Sequence, residues 1–238
     1  MRAAVRAHPV HRDPQLGDLE VWARRTDELR SDTERLERSV RRRTGSLVRA
    51  FDRIVGVLAD LRYLSDDGMD PQPTADGMML AGLYAETDLV LGEALRRGVL
   101  ERLDPADLAA VASVFVHETR TKEPPPVGFP TPAVRATVSA CVDVWQDIAA
   151  REEAAGLTTT RPLDGGFAEA VWHWASGADL DEALAGSEMT AGDFVRSAKQ
   201  VADLLRQLRD VRRGSQLSHT AHAAAGAVVR GIVAYSGL

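Results

Sequence analysis

The sequence has one cysteine, Cys141, two lysines, Lys122 and Lys199, and only 5% aromatic residues. A single thiol excludes an intrachain disulfide and any multi-cysteine zinc or iron–sulfur site, so packing alone must hold the fold. No stretch approaches the ~18 consecutive apolar residues of a membrane span, and the N-terminal residues lack the apolar core of a secretory signal. The cytoplasm is the default expectation. Phosphate-cradling motifs are missing as well: there is no glycine-rich loop ending in Lys-Ser or Lys-Thr, no Gly-x-Gly-x-x-Gly turn and no Gly-x-Ser-x-Gly elbow. By itself, then, the chain is expected to hold no nucleotide, cofactor or metal.

What is present is an ordinary globular composition: 238 residues, 45% hydrophobic and 27% charged, with a net charge of -6. The charge is uneven. Residues 1–50 carry 12 Arg against 8 acids, while the remaining 188 residues sum to -10. A pI near 5.6 argues against a protein that coats nucleic acid nonspecifically. The chain has 27 Arg beside its two Lys and is rich in Ala, the signature of GC-rich codon usage. An arginine stretch therefore counts as a site only where spacing supports it.

Leu19, Trp22, Thr26, Leu29, Thr33, Leu36 and Val40 follow alternating steps of three and four, the pattern of a coiled-coil seam. The spacing predicts a helix from about Asp18 to Arg43, stopped at Gly45 after three arginines. Its seam needs a partner helix, and two threonines make it weak for a homodimer. A second helical set, Leu47, Phe51, Ile54, Leu58 and Leu61, leads into the turn-rich segment Ser65 to Thr74, which suits the last helix and wing of a winged-helix unit. Past Asp76 the pattern is uniformly helical. Gly98, Asp104-Pro105, the loop Glu123 to Gly128, Thr131-Pro132, Asp164-Gly165-Gly166 and Thr190 to Asp193 mark the boundaries. No strand pair is evident. The expected fold class is all-α, a helical bundle preceded by a coiled-coil arm.

Among candidate site residues, His8 with His11 and His219 with His222 have helical pair spacing, but without a nearby carboxylate or thiol they read as surface histidines. Trp172-His173-Trp174 places neighbours about 100° apart on a helix, so Trp174 is expected in the core and Trp172 partly exposed. Glu152-Glu153 and Asp181-Glu182 read as solvated faces. The informative element is the helix 190–213. Phe194, Ala198, Val201, Leu205 and Leu208 form its buried face, and Arg196, Lys199, Asp203, Arg206, Asp210 and Arg213 form a neighbouring stripe. Either the acids simply pair with their neighbours, or the cations form a rail along which a single strand passes.

Three stretches carry a resemblance. Phe167-Ala-Glu-Ala-Val-Trp-His-Trp-Ala-Ser-Gly-Ala-Asp-Leu180, then Ser187 to Arg196 and Gln200 to Leu208, are similar to the C-terminal signature of superkiller-type DExH RNA helicases, which include exosome-associated and actinobacterial HelY helicases. Ala109 to Glu118 and Phe51 to Leu64 resemble two further segments of that family, in the same order. Arg6 to His11 and the arm resemble the returning limb of its stalk. The resemblance implies a coiled-coil stalk (arch) arm over 1–45, a winged-helix remnant over 46–75 and the terminal DSHCT bundle over 76–238, with 190–213 as its ratchet-type helix.

It also implies that Arg196 and Glu118 face an RNA strand, with Gln200 at the place of a second contact; Lys199, from the cationic stripe, is the fourth candidate RNA-binding residue. ATP and Mg would belong to motor domains that these residues do not include. The implied partners are single-stranded RNA, with single-stranded DNA as a second candidate, the motor domains in cis and an RNA-degradation partner, with no membrane. There are departures. Gln200 stands where many relatives have a second Arg, Arg62 replaces the usual Gly before Tyr63, and Val10 and Arg12 stand where cysteines are common. The rival reading is a free-standing helical adaptor that binds a protein partner through its coiled arm and acidic bundle.

Overall fold

The computed structural model describes residues 8–9, 14–65, 71–119, 128–187 and 189–235. Among these residues the structure is all-helical, and pairing of extended backbone is limited to one antiparallel bridge between Leu64 and Pro73. Two compact units are distinguished, Met1–Asp52 and Arg53–Leu238.

The first unit is built on α1, Leu16–Asp60, whose last turns belong to the second unit. The helix does not stop at Gly45 as the arginine-glycine signal predicts. One interior glycine costs about 1 kcal/mol relative to alanine, and helical propagation on both sides absorbs that cost. Trp22, Leu29, Leu36, Leu47 and Phe51 are all exposed along this helix. Thr26 and Thr33 satisfy their hydroxyls on the carbonyls of Trp22 and Leu29, each at 2.8 Å, which lets them sit among apolar neighbours without a further partner. The side chains of Leu19 and Val40 lie outside the described set, as do His11 and most of the loop 123–128.

The second unit surrounds a helix that is apolar on every side. In α4, Pro105–Val116, every residue from Asp107 to Phe115 is buried. A helix without a polar face has to be enclosed, and its small residues Ala109, Ala110, Ala112 and Ser113 allow close approach. Its neighbours are α5 (Pro132–Ala154), α6 (Ala168–Ala175), α8 (Ala191–Val211) and α9 (Gln216–Val228). The shorter α2 (Ala75–Leu80), α3 (Asp88–Arg96), α7 (Leu180–Ala183) and α10 (Gly231–Tyr235) complete the described helices. The boundaries follow local chemistry. Thr131 and Thr190 accept hydrogen bonds from the N–H groups of Val134 and Asp193 as N-caps, Pro105 and Pro132 occupy first turns, and Gly98 and Gly214 leave their helices with positive φ. Trp174 is buried and Trp172 half-buried, as the spacing predicts; the Trp172 indole donates to Asp107 Oδ1 at 2.8 Å.

One acid read as solvated is not. Glu152 is buried and accepts from the N–H and hydroxyl of Thr160 at 2.6 and 2.7 Å, tying the irregular segment after α5 back to the helix. Glu153, Asp181 and Glu182 are exposed.

The turn after α1 is held by a buried carboxylate. Glu93 accepts from the Tyr63 hydroxyl at 2.9 Å and pairs with Arg96 at 3.2 Å and Arg97 at 3.1 Å. Arg96 also lies over the Tyr63 ring and donates to the Leu61 carbonyl. Burial, reinforced by the Glu93 charge, pushes the Tyr63 phenol up, so it stays a donor. Between Leu61 and Tyr63, Arg62 sits at φ 63°, in the left-handed region, at the position where the resembled family usually has glycine.

Two stability changes of opposite sign follow. Glu93→Ala leaves the buried Tyr63 phenol without its acceptor, while Arg96 and Arg97 keep Asp76 and Asp147 as partners, and denaturant unfolding should show a loss of about 2 kcal/mol. Arg62→Gly removes a left-handed side-chain penalty of about 1 kcal/mol, of which glycine's greater unfolded freedom returns roughly half. A gain on the order of 0.5 kcal/mol is expected, and a loss would contradict the strain argument.

Candidate functional site

Helix α8 has two faces with different tasks. Phe194, Ala198, Val201, Leu205 and Leu208 are fully buried. Phe194 makes edge contacts with Phe167 at 5.4 Å and Trp174 at 5.3 Å, and His117 stacks on the other side of Phe167 at 5.5 Å. These contacts fix how α8 is rotated about its axis, and so fix which residues its other face presents.

That face forms one wall of a cavity of about 720 Å³. Arg196, Lys199 and Gln200 line it from α8, and Glu118 lines it from the segment that follows α4. All four residues singled out from the sequence therefore meet in one place. Asp193, Asp203 and Gln207 extend the α8 wall, and Tyr84, Glu86, His117 and Arg161 complete the rim and floor. The stripe read from the sequence is only half present. Arg206, Asp210 and Arg213 lie outside the lining, and Asp210 pairs with Arg209 and Arg213.

Each lining group is positioned by a local device. The Thr190 hydroxyl accepts from the Asp193 N–H at 3.1 Å and donates to Asp193 Oδ2 at 2.7 Å; Asp193 Oδ1 pairs with Arg196 at 2.5 Å. The helix cap thus orients the arginine. Across the cavity, Asp164 accepts from the Thr119 N–H at 2.5 Å, the Thr119 hydroxyl at 3.0 Å and the Gly166 N–H at 2.8 Å, which holds the backbone around Glu118 in place. Gly166 has no alternative here, since a Cβ would lie 2.6 Å from Thr119 Oγ1. Arg161 donates to the Phe115 carbonyl at 2.9 Å and to Glu86 at 3.2 Å, joining the end of α4 to the turn before α3.

The electrostatics are mixed. Arg161, Arg196 and Lys199 face Glu86, Glu118, Asp193 and Asp203, three cations against four carboxylates. Such a wall is not a continuous anion channel; its mixed donors and acceptors suit groups that both donate and accept hydrogen bonds. Among the described residues no cluster of three metal-ligating side chains occurs, and His219 and His222 are exposed. The residues that the sequence did not flag, Tyr84, Glu86 and Arg161, come from irregular segments without periodicity.

Burial lowers the His117 pKa below the ordinary imidazole value; nearby Asp164 opposes this, and Arg161 and Arg196 add to it. Asp164 is pushed up by burial, but the N–H and O–H donors of Gly166 and Thr119 outweigh that and hold it below the usual carboxylate range. Both shifts act in one direction. His117 is kept neutral in the fold, so its contribution is complete above the unfolded imidazole pKa of about 6.5 and is lost as the pH falls below that value toward the lowered pKa. His117→Gln should therefore flatten the fall in denaturation midpoint between about pH 7.5 and 5.5. Equal pH dependence in the two proteins would contradict this.

The family model for the DSHCT (NUC185) domain matches residues 70–236. The chain is 39% identical over 98% of its length to a probable helicase HelY of Mycobacterium tuberculosis (strain ATCC 25618 / H37Rv), and 38% identical over 98% to the one of Mycobacterium leprae (strain TN). In each case it covers 27% of the relative, so it spans about a quarter of their length. An exosome RNA helicase of Mus musculus is a more distant match, 20% identical over 85% of this chain and 19% of that protein. A domain match across the bundle together with near-complete coverage by the mycobacterial relatives shows that the chain belongs to the DSHCT-containing helicase family.

Proposed function

We propose that this chain is the RNA-guiding part of an ATP-dependent DExH RNA helicase, and that the cavity beside α8 receives single-stranded RNA as it leaves the motor domains. The observation that carries this reading is the meeting of Arg196, Lys199, Gln200 and Glu118 in one cavity. Glu118, Arg196 and Gln200 come from three segments that resemble RNA helicases, and that resemblance is independent of their spatial proximity. ATP and Mg are assigned to the motor domains and not to these residues. In the same reading 1–45 is the coiled-coil stalk arm and 46–75 the winged-helix remnant.

The cavity's charge refines the mode of contact. With four carboxylates on its lining, the strand enters with its bases and riboses inward and most phosphates toward solvent. Carboxylates accept from base amines and 2′-hydroxyls, while Arg196 and Lys199 supply donors and one or two phosphate contacts. Arg196 already has an acceptor, Asp193, so RNA binding exchanges that exposed ion pair, worth at most about 1 kcal/mol, for a contact with the strand.

A second reading has its own support. The exposed row Trp22, Leu29, Leu36, Leu47 and Phe51 fits a helix that pairs with another coil, which is what the adaptor reading requires. It is compatible with a stalk arm as well, so the RNA experiment decides between them.

Arg196→Ala should weaken binding of the 238-residue chain to single-stranded RNA by about tenfold, within the range for loss of one stacked or phosphate contact. It should leave thermal unfolding unchanged, because the side chain is half exposed. Gln200→Ala should have a smaller effect, since an uncharged amide releases no counterion. The slope of log K against log salt should be shallow, about -1, and each lost phosphate contact should reduce it by about 0.7. Absence of RNA binding, or an Arg196→Ala variant that binds as wild type, would favour the adaptor.

A further inference from the structure

A cavity with more carboxylates than cations cannot hold RNA mainly through phosphates, so affinity has to come from the faces and edges of the bases. The lining contains three rings, those of Tyr84, Phe115 and His117. Phe115 and His117 are buried and offer no free face. Tyr84 is 78% exposed. Among the described lining residues it is the aromatic ring available to a base.

Its mount is rigid. On one side of it Leu83 is 3% exposed and anchored in the core, and beyond it Thr87 is fully buried and donates to the Phe115 carbonyl at 3.0 Å. The Tyr84 N–H donates to Gln207 Oε1 at 2.8 Å, and the Gln207 amide donates in turn to Asp203 at 2.8 Å. Two residues earlier, Gly82 lies so close to α8 that a Cβ would come within 2.6 Å of Val211 Cγ1. The backbone beneath the ring is thus seated on α8 and tied to its cavity face. A tyrosine on such a mount has two side-chain torsions to order when a base stacks, which makes it a low-cost contact.

We propose that Tyr84 is a base-stacking platform at the far end of the cavity, and that the strand path runs along α8 from Arg196 to Gln207. The path is about 16 Å long at ~1.5 Å per residue, enough for a short run of nucleotides. At one end Arg196 and Glu118 meet the strand; at the other the Tyr84 ring closes the path by stacking on a base of any sequence. This inference rests on the RNA reading above and adds a contact that no charge pattern indicates.

The test uses the 238-residue chain, short oligo(A) RNA, and the same RNA with abasic sites. Tyr84→Leu should weaken oligo(A) binding about tenfold, the effect of losing one stacked base, with an unchanged salt slope, because no phosphate contact is lost. Tyr84→Phe should bind as wild type. Abasic RNA should bind wild type about tenfold more weakly than oligo(A) does, which reports the stacking with no mutation, and should bind Tyr84→Leu as it binds wild type. If Tyr84→Leu binds oligo(A) as wild type while Arg196→Ala is weakened, the platform is overturned and the RNA reading stands. If neither variant differs from wild type, or the chain binds no RNA, both are overturned.

Discussion

The rotation of α8 about its own axis is the constraint on which the site depends. Phe194 sets it by inserting between Phe167 and Trp174, with His117 stacked behind Phe167. Edge-to-face aromatic pairs have preferred geometry as well as buried area, so the cluster tolerates little rotation. Because Phe194 and Arg196 are two residues apart, the same phase that buries the ring presents the arginine to the cavity. The cluster also spans α6, α8 and the end of α4, so the elements that supply Arg196 and Glu118 are fixed by one set of contacts.

Around this cluster, polar groups perform the finer positioning. Asp164 holds the Glu118 segment, Thr190 and Asp193 orient Arg196, and Arg161 ties the α4 terminus to the turn before α3. These are short-range devices, and two of the three leave an acid beside a base. The mixed cavity wall is their consequence. A site built in this way gains little from long-range attraction to a polyanion, in keeping with a net charge of -6.

Much of this was legible in the sequence because helices write their burial in steps of three and four. The buried face of α8 and the burial of Trp174 follow from that period, and the caps at Thr131 and Thr190 from the local chemistry of helix starts. The helix stop at Gly45 failed because a single weak residue does not override propagation on both sides. Glu152 was misread because its hydrogen-bond partner, Thr160, is in an irregular segment. The cavity itself joins positions near 84, 118, 161 and 196. Local periodicity carries no information about such distant pairings, and Tyr84, Glu86 and Arg161 belong to turns that have no period. The family resemblance supplied Glu118 and Arg196 where periodicity could supply only Arg196.

In the proposed function, single-stranded RNA occupies the face of α8 fixed by Phe194. Photo-crosslinking of the chain to RNA containing 4-thiouridine, followed by mass-spectrometric mapping of the adducts, addresses it most directly. Adducts are expected on peptides that include Tyr84, Glu118 and the cavity face of α8 from Arg196 to Gln207, with their loss when unlabelled RNA competes. Adducts confined to the arginine-rich residues of α1, with the cavity peptides unmodified, would contradict it.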